Sequence, residues 1–124
     1  MSTIKITNIQ ATGETVSRAV SGVTAAWATT NQTGTMGLRD SFNISSVADS
    51  GTGFSDYTFT NAFASANFAA VMGQSNDNNF TGIETGHTAS TITLLTNQYS
   101  GSAEDAAYQN FQVCGDLALS LIHI

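Results

Sequence analysis

The sequence predicts an all-β fold, a jelly-roll-like β-sandwich of six or so short strands preceded by an extended N-terminal arm. Three observations predict it. Thr (18), Ser (14) and Asn (10) supply about a third of the 124 residues while charged residues supply 10%. Polarity is therefore carried by hydroxyls and amides, which suit pleated strands and tight turns better than the charged outer face of an amphipathic helix. Short runs with period-two alternation recur along the chain, separated by Gly/Asn/Asp clusters. Hydrophobic residues make up 41%, with seven Phe, three Tyr and one Trp, a composition that excludes a disordered segment.

The length is that of one domain, divided here into an arm over 1–22 and a sandwich over 23–124. Ile4, Ile6 and Ile9 form a short alternating run before the turn-like Ala11-Thr12-Gly13-Glu14 and a polar stretch to Gly22. Such a strand is marginal alone, so the arm is expected to dock on another surface or a neighbouring subunit. From Ala25, a strand bearing Trp27 leads through Asn31-Gln32-Thr33-Gly34 to a second, in which Met36, Leu38, Asp40 and Phe42 alternate with Gly37, Arg39 and Ser41. Ile44 and Val47, the cluster Asp49-Ser50-Gly51-Thr52-Gly53, and alternating Tyr57 and Phe59 predict a second hairpin. Periodicity leaves 61–73 open between helix and strand. Gln74 to Gly82, with Asn76, Asp77, Asn78 and Asn79 in succession, predicts a loop. Two more strands follow over Thr91 to Thr96 and Phe111 to Ile124. Few surface charges and many strand edges suit an oligomer that covers those edges.

Net charge is −6, with Lys5, Arg18 and Arg39 the only strong cations, so neither nucleic acid nor an anionic membrane is an expected partner. The single Cys114 excludes an intrachain disulfide framework and reads as a small apolar side chain. No export signal is expected in Met1 to Gln10, which has no continuous apolar run.

The run Ala26-Trp27 through Thr33-Gly34-Thr35, Leu38-Arg39-Asp40-Ser41-Phe42-Asn43-Ile44-Ser45-Ser46, Asp49-Ser50-Gly51-Thr52-Gly53 and Asp56-Tyr57-Thr58 resembles a module of phage tail-fibre and virion structural proteins. Ser65-Ala66-Asn67-Phe68-Ala69 continues the likeness and favours a strand there. Ser2-Thr3-Ile4-Lys5-Ile6 and Leu119-Ser120-Leu121-Ile122-His123 resemble the ends of short marine-phage members. Phe54 and Ser55 are inserted relative to that pattern, and Thr29-Thr30-Asn31-Gln32 replaces its usual approach to the first turn. The resemblance implies a virion-surface protein, commonly a homotrimer, made in the host cytoplasm and contacting other tail or capsid proteins. It implies no catalytic residue and no cofactor.

The residues themselves suggest no enzyme. His87 and His123 are the only histidines, and no Gly-x-Ser-x-Gly elbow surrounds a serine. Glu84, Glu104, Asp105 and Asp116 read more simply as solvated loop charges than as a catalytic pair. The 76–79 cluster lacks the acidic spacing of a calcium loop, and two histidines do not make a structural metal site. Trp27 offers a sugar-stacking surface, but a lone Trp in a first hairpin reads more simply as core. Tyr99, together with Gln74, Asn76, Asp77, Asn78 and Asn79, makes a polar and aromatic patch suited to host glycan or partner contact; Ile4, Ile6 and Ile9 make the docking arm. Two roles are therefore expected: a tail-fibre or receptor-binding module for host adhesion, or a capsid decoration or head-fibre protein. The second is suggested by 124 residues that leave no room for a long shaft.

Overall fold

Residues 2–76 and 79–118 are described by a computed structural model. Ten antiparallel strands occur in chain order: β1 Asn8–Ile9, β2 Arg18–Ala19, β3 Thr24–Asn31, β4 Gly37–Phe42, β5 Ile44–Gly51, β6 Phe54–Phe59, β7 Ala69–Gln74, β8 Asn79–Ile83, β9 Thr91–Gln98 and β10 Gln109–Cys114. β1 and β2 pair only with each other, whereas the other eight form two four-stranded sheets, β4-β3-β10-β7 and β5-β6-β9-β8. The sheets pack face to face as a sandwich. Hairpins β3-β4, β5-β6 and β8-β9 each stay within one sheet, so successive strands do not alternate between sheets at nearly every connection as in a jelly roll.

Alternation decides which side chains enter the sandwich. Ser55, Tyr57 and Phe59 on β6 and Ile92, Leu94 and Thr96 on β9 face inward; so do Ala26, Ala28 and Thr30 on β3 and Phe111 and Val113 on β10. Small alanines stand opposite large rings, the complementarity that lets two sheets close without voids. The Tyr57 and Phe111 rings meet across the interface at 4.6 Å between centroids. Phe63 and Phe68 reach the core from the segment between β6 and β7, and the Phe59 ring lies 4.9 Å from that of Phe63 in an edge-on arrangement.

The opposite end of the core is polar. Gln109 Oε1 only accepts, so the Tyr57 hydroxyl donates to it at 2.8 Å and accepts from Thr30 Oγ1, also at 2.8 Å. Gln109 Nε2 donates to Thr96 Oγ1 at 2.9 Å. The buried Gln32 amide donates to Gly53 O and Ser55 Oγ, both at 2.9 Å, and accepts from Ala106 N at 2.9 Å. Among the described residues no buried side-chain polar atom lacks a partner, as a low-dielectric interior demands.

Several sequence expectations are corrected. Trp27 is not core: register shifts at Ala25 and Arg39 set the phase of β3 and β4 so that Trp27, Asp40 and Phe42 face outward while Leu38 and Ser41 turn in. The loop expected over 74–82 is shorter, because Gln74 ends β7 and β8 begins at Asn79, pairing Phe80 with Asn97 and Gly82 with Leu95. Of the open 61–73 segment only 69–73 is strand, continuing to Gln74. The last strand stops at Cys114, where Gly115 packs against Phe63, and Leu117 then forms a single bridge to Phe63; its expected continuation over 119–124, with His123, lies outside the described residues.

The candidate functional site is a trough on an outer sheet face

A shallow, widely open groove of about 420 Å³ lies over β10 on the outside of the β4-β3-β10-β7 sheet. Its position follows from register. Gln112 stands opposite Trp27 on β3 and Val71 on β7, and Asn110 stands opposite Thr29 and Gly73. One flank is therefore Trp27 with Thr29, the other Val71 with Gly73, and the polar floor is Asn110 and Gln112. Gly73 opens the second flank, since a Cβ built there meets nothing within 4 Å. Phe42, paired with Trp27 and 54% exposed, extends the aromatic flank outward onto β4.

The trough is uncharged. Its lining comprises Trp27, Ala28, Thr29, Val71, Met72, Gly73, Asn110, Phe111 and Gln112, none of which titrates near neutral pH. Asn110 and Gln112 are exposed, and among the described residues their side-chain amides make no hydrogen bond to protein. Trp27 is 36% exposed. Two residues before Asn110, Tyr108 carries the Arg39 guanidinium over its ring at 4.1 Å, and Arg39 also donates to Ala107 O at 3.0 Å. Asp40 stands beyond Thr29, its carboxylate accepting from Ser41 N at 2.8 Å.

The patch expected from the sequence lies elsewhere, at the end where β7, β8 and β9 meet the 99–108 segment. Gln74, Asn76 and Asn79 do come together, but chiefly to hold each other and residues 104–105. Gln74 Nε2 donates to Asn79 O at 2.9 Å, Asn76 N donates to Gln74 Oε1, and Asn76 Nδ2 donates to Asp105 O at 3.2 Å. Asn79 Nδ2 and Gln98 Nε2 both donate to Glu104 Oε2, at 2.7 and 3.0 Å. Those two donors, Asn79 foremost, hold the Glu104 carboxyl below its usual range. Tyr99 is 75% exposed and lies 6.3 Å from the nearly parallel Phe80 ring. Asp77 and Asn78 lie outside the described residues.

The remaining candidates are dispersed. Asp105 accepts from Gly53 N at 2.7 Å, while Asp116, at the other end, accepts from Gly22 N at 2.9 Å and Ser21 Oγ at 3.0 Å. His87 meets Ala66 O at 3.2 Å and packs on Phe68. Ile4, Ile6 and Ile9 are all exposed, and Ile9 pairs with Arg18 in the β1-β2 hairpin. Sequence reading missed the trough because it placed Trp27 inside. The signal that finds it is the alternation of small Ala26 and Ala28 with Trp27, since the small residues face the large rings of the core and Trp27 is left outside. The chain matches no family model, no curated protein and no solved structure.

Proposed function

We propose that this chain is an attachment module of the virion surface of a tailed bacteriophage, of tail-fibre or receptor-binding type, that binds its target without transforming it. The supporting observation is the trough: an aromatic flank and free amides set on adjacent strands, in a lining with no group able to carry a proton at neutral pH. The resemblance of the Trp27 to Ala69 pattern to phage fibre modules supplies the biological setting. In this reading the module works as a homotrimer, and the β1-β2 segment with Ile4, Ile6 and Ile9 is its docking arm.

Capsid decoration is the second reading. Val16, Val20 and Val23 join Ile4, Ile6 and Ile9 as exposed aliphatics on the N-terminal hairpin, a surface that suits adherence to a broad shell as well as to a tail. Gold-antibody labelling of intact virions separates the two. Label on the tail or its fibres is the expected result, label over the capsid makes the chain a decoration protein, and unlabelled intact particles overturn the virion reading.

A further inference from the structure

We infer that the trough over β10 is a binding site for a neutral oligosaccharide, with Trp27 as the stacking surface and Gln112, Asn110 and Thr29 as the hydroxyl-reading groups. The inference names the ligand class of the attachment reading and rests on it.

The chemistry of the lining selects this class. A pyranose ring presents an apolar face of C–H groups and a rim of hydroxyls, each both donor and acceptor. Trp27 supplies a large apolar face, and among the described residues no other aromatic ring stacks on it. Asn110 and Gln112 supply, at adjacent outward positions of one strand, amide groups that donate and accept and that no protein partner consumes. Outward residues i and i+2 on a strand stand about 7 Å apart, a spacing that lets the two amides reach hydroxyls on one ring or on neighbouring rings. Gly73 leaves the opposite flank open, so a chain of sugars can leave the trough across β7.

Charge narrows the class further. The lining itself holds no cation to attract an acidic sugar, while Asp40 and a net charge of −6 repel it. An apolar ligand would leave the floor amides unpaired, which costs affinity. The patch around Asn79 and Tyr99 offers a similar composition, but there most of the amide donors are spent on Asn79 O, Asp105 O and Glu104.

Trp27 is the only tryptophan in the chain, so its emission reports on this trough alone. Titrating the intact protein with neutral trisaccharides of glucose, galactose and mannose should give a saturable change in that emission with at least one of them, and none with a trisaccharide of uronic acids. Gln112→Leu, at an exposed position that keeps the fluorophore, should weaken binding by about tenfold with an unchanged melting temperature. Tyr99→Ala should leave the titration as it was. A Trp27 signal silent to every neutral sugar, a stronger response to the acidic one, or a Gln112→Leu titration identical to wild type would each overturn the inference. So would an emission change that follows protein concentration instead of sugar, which would make the trough a contact between copies. None of these outcomes alters where an antibody labels the virion, so the attachment reading stands or falls separately.

Discussion

Gly53 sits where the polar end of the sandwich is drawn together. Its carbonyl accepts from Thr96 N and from Gln32 Nε2, each at 2.9 Å, and its N–H donates to Asp105. The backbone is left-handed there, at φ +79°, and a Cβ would stand 2.5 Å from Thr96 O and 3.1 Å from Glu104 N. Gly53→Ala therefore meets both a conformational penalty and a backbone collision that no side-chain rotation relieves. A loss of about 3 kcal/mol or more is expected in urea unfolding. Tyr57 tests the adjoining network differently. Burial pushes its phenol pKa up, against the opposing hydrogen bonds of Thr30 and Ser55, and the neutral hydroxyl links both sheets. Tyr57→Phe keeps the ring on Phe111 but leaves Gln109 Oε1 and Thr30 without their shared partner, for an expected loss of about 1–3 kcal/mol in the same measurement. Asn43 is the one non-glycine at positive φ among the described residues, and its side chain bonds Ala25 O, Asn61 O and Asn61 N where the chain passes from β4 to β5.

At the scale of elements, the hairpins β3-β4 and β5-β6 were legible because glycine-bearing turns separate alternating runs. Which face of β3 looks inward was not. Alternation groups Trp27 with Thr29 and Ala26 with Ala28, and hydropathy alone would bury the Trp. The sandwich buries the alanines, because Tyr57 and Phe111 already fill the volume opposite them. β8 was hidden for a related reason: Asn79 has a loop-forming side chain, but Glu104, remote in sequence, takes up its amide and frees the backbone to pair. The candidate site inherits the first of these errors, being the outward face of β3 and its neighbours. The hairpin of β1 and β2 carries its own test. Gly22 N and then Ser21 Oγ hold the Asp116 carboxyl below its ordinary range. A lowered folded pKa means that this tie contributes above the ordinary Asp value and is lost as pH falls through the lowered one. Protection of the Gly22 amide, measured against its intrinsic exchange rate at each pH, is therefore expected to fall in acid before that of the β9 and β10 amides, and Asp116→Ala should show the lower protection already at neutral pH.

For the whole molecule, the question is what covers the surfaces that a single copy leaves open. The strands β4 and β7 edge one sheet and β5 and β8 the other, and only nine acidic and three basic side chains are available to blunt such edges. The N-terminal hairpin adds a second exposed apolar surface, with Ile4 at 84% exposure and Ile6 and Ile9 above half. Burying about 100 Å² of each isoleucine against a neighbour would return roughly 2–3 kcal/mol apiece at the transfer coefficient for apolar area. Three copies exchanging three such residues would gain roughly 20 kcal/mol of apolar burial, to set against the cost of bringing the copies together. On the homotrimer proposed for the attachment module, light scattering should give about three times the 12.9 kDa chain mass. Ile4→Ser, Ile6→Ser and Ile9→Ser together remove the apolar contacts but touch none of the core residues Tyr57, Ile92, Leu94 or Val113. The triple variant should run as a monomer whose melting at low concentration matches the wild-type sandwich. A wild-type monomer would remove the trimer from the attachment reading, and a triple variant that stays trimeric would move the subunit contact from the arm to the sheet edges.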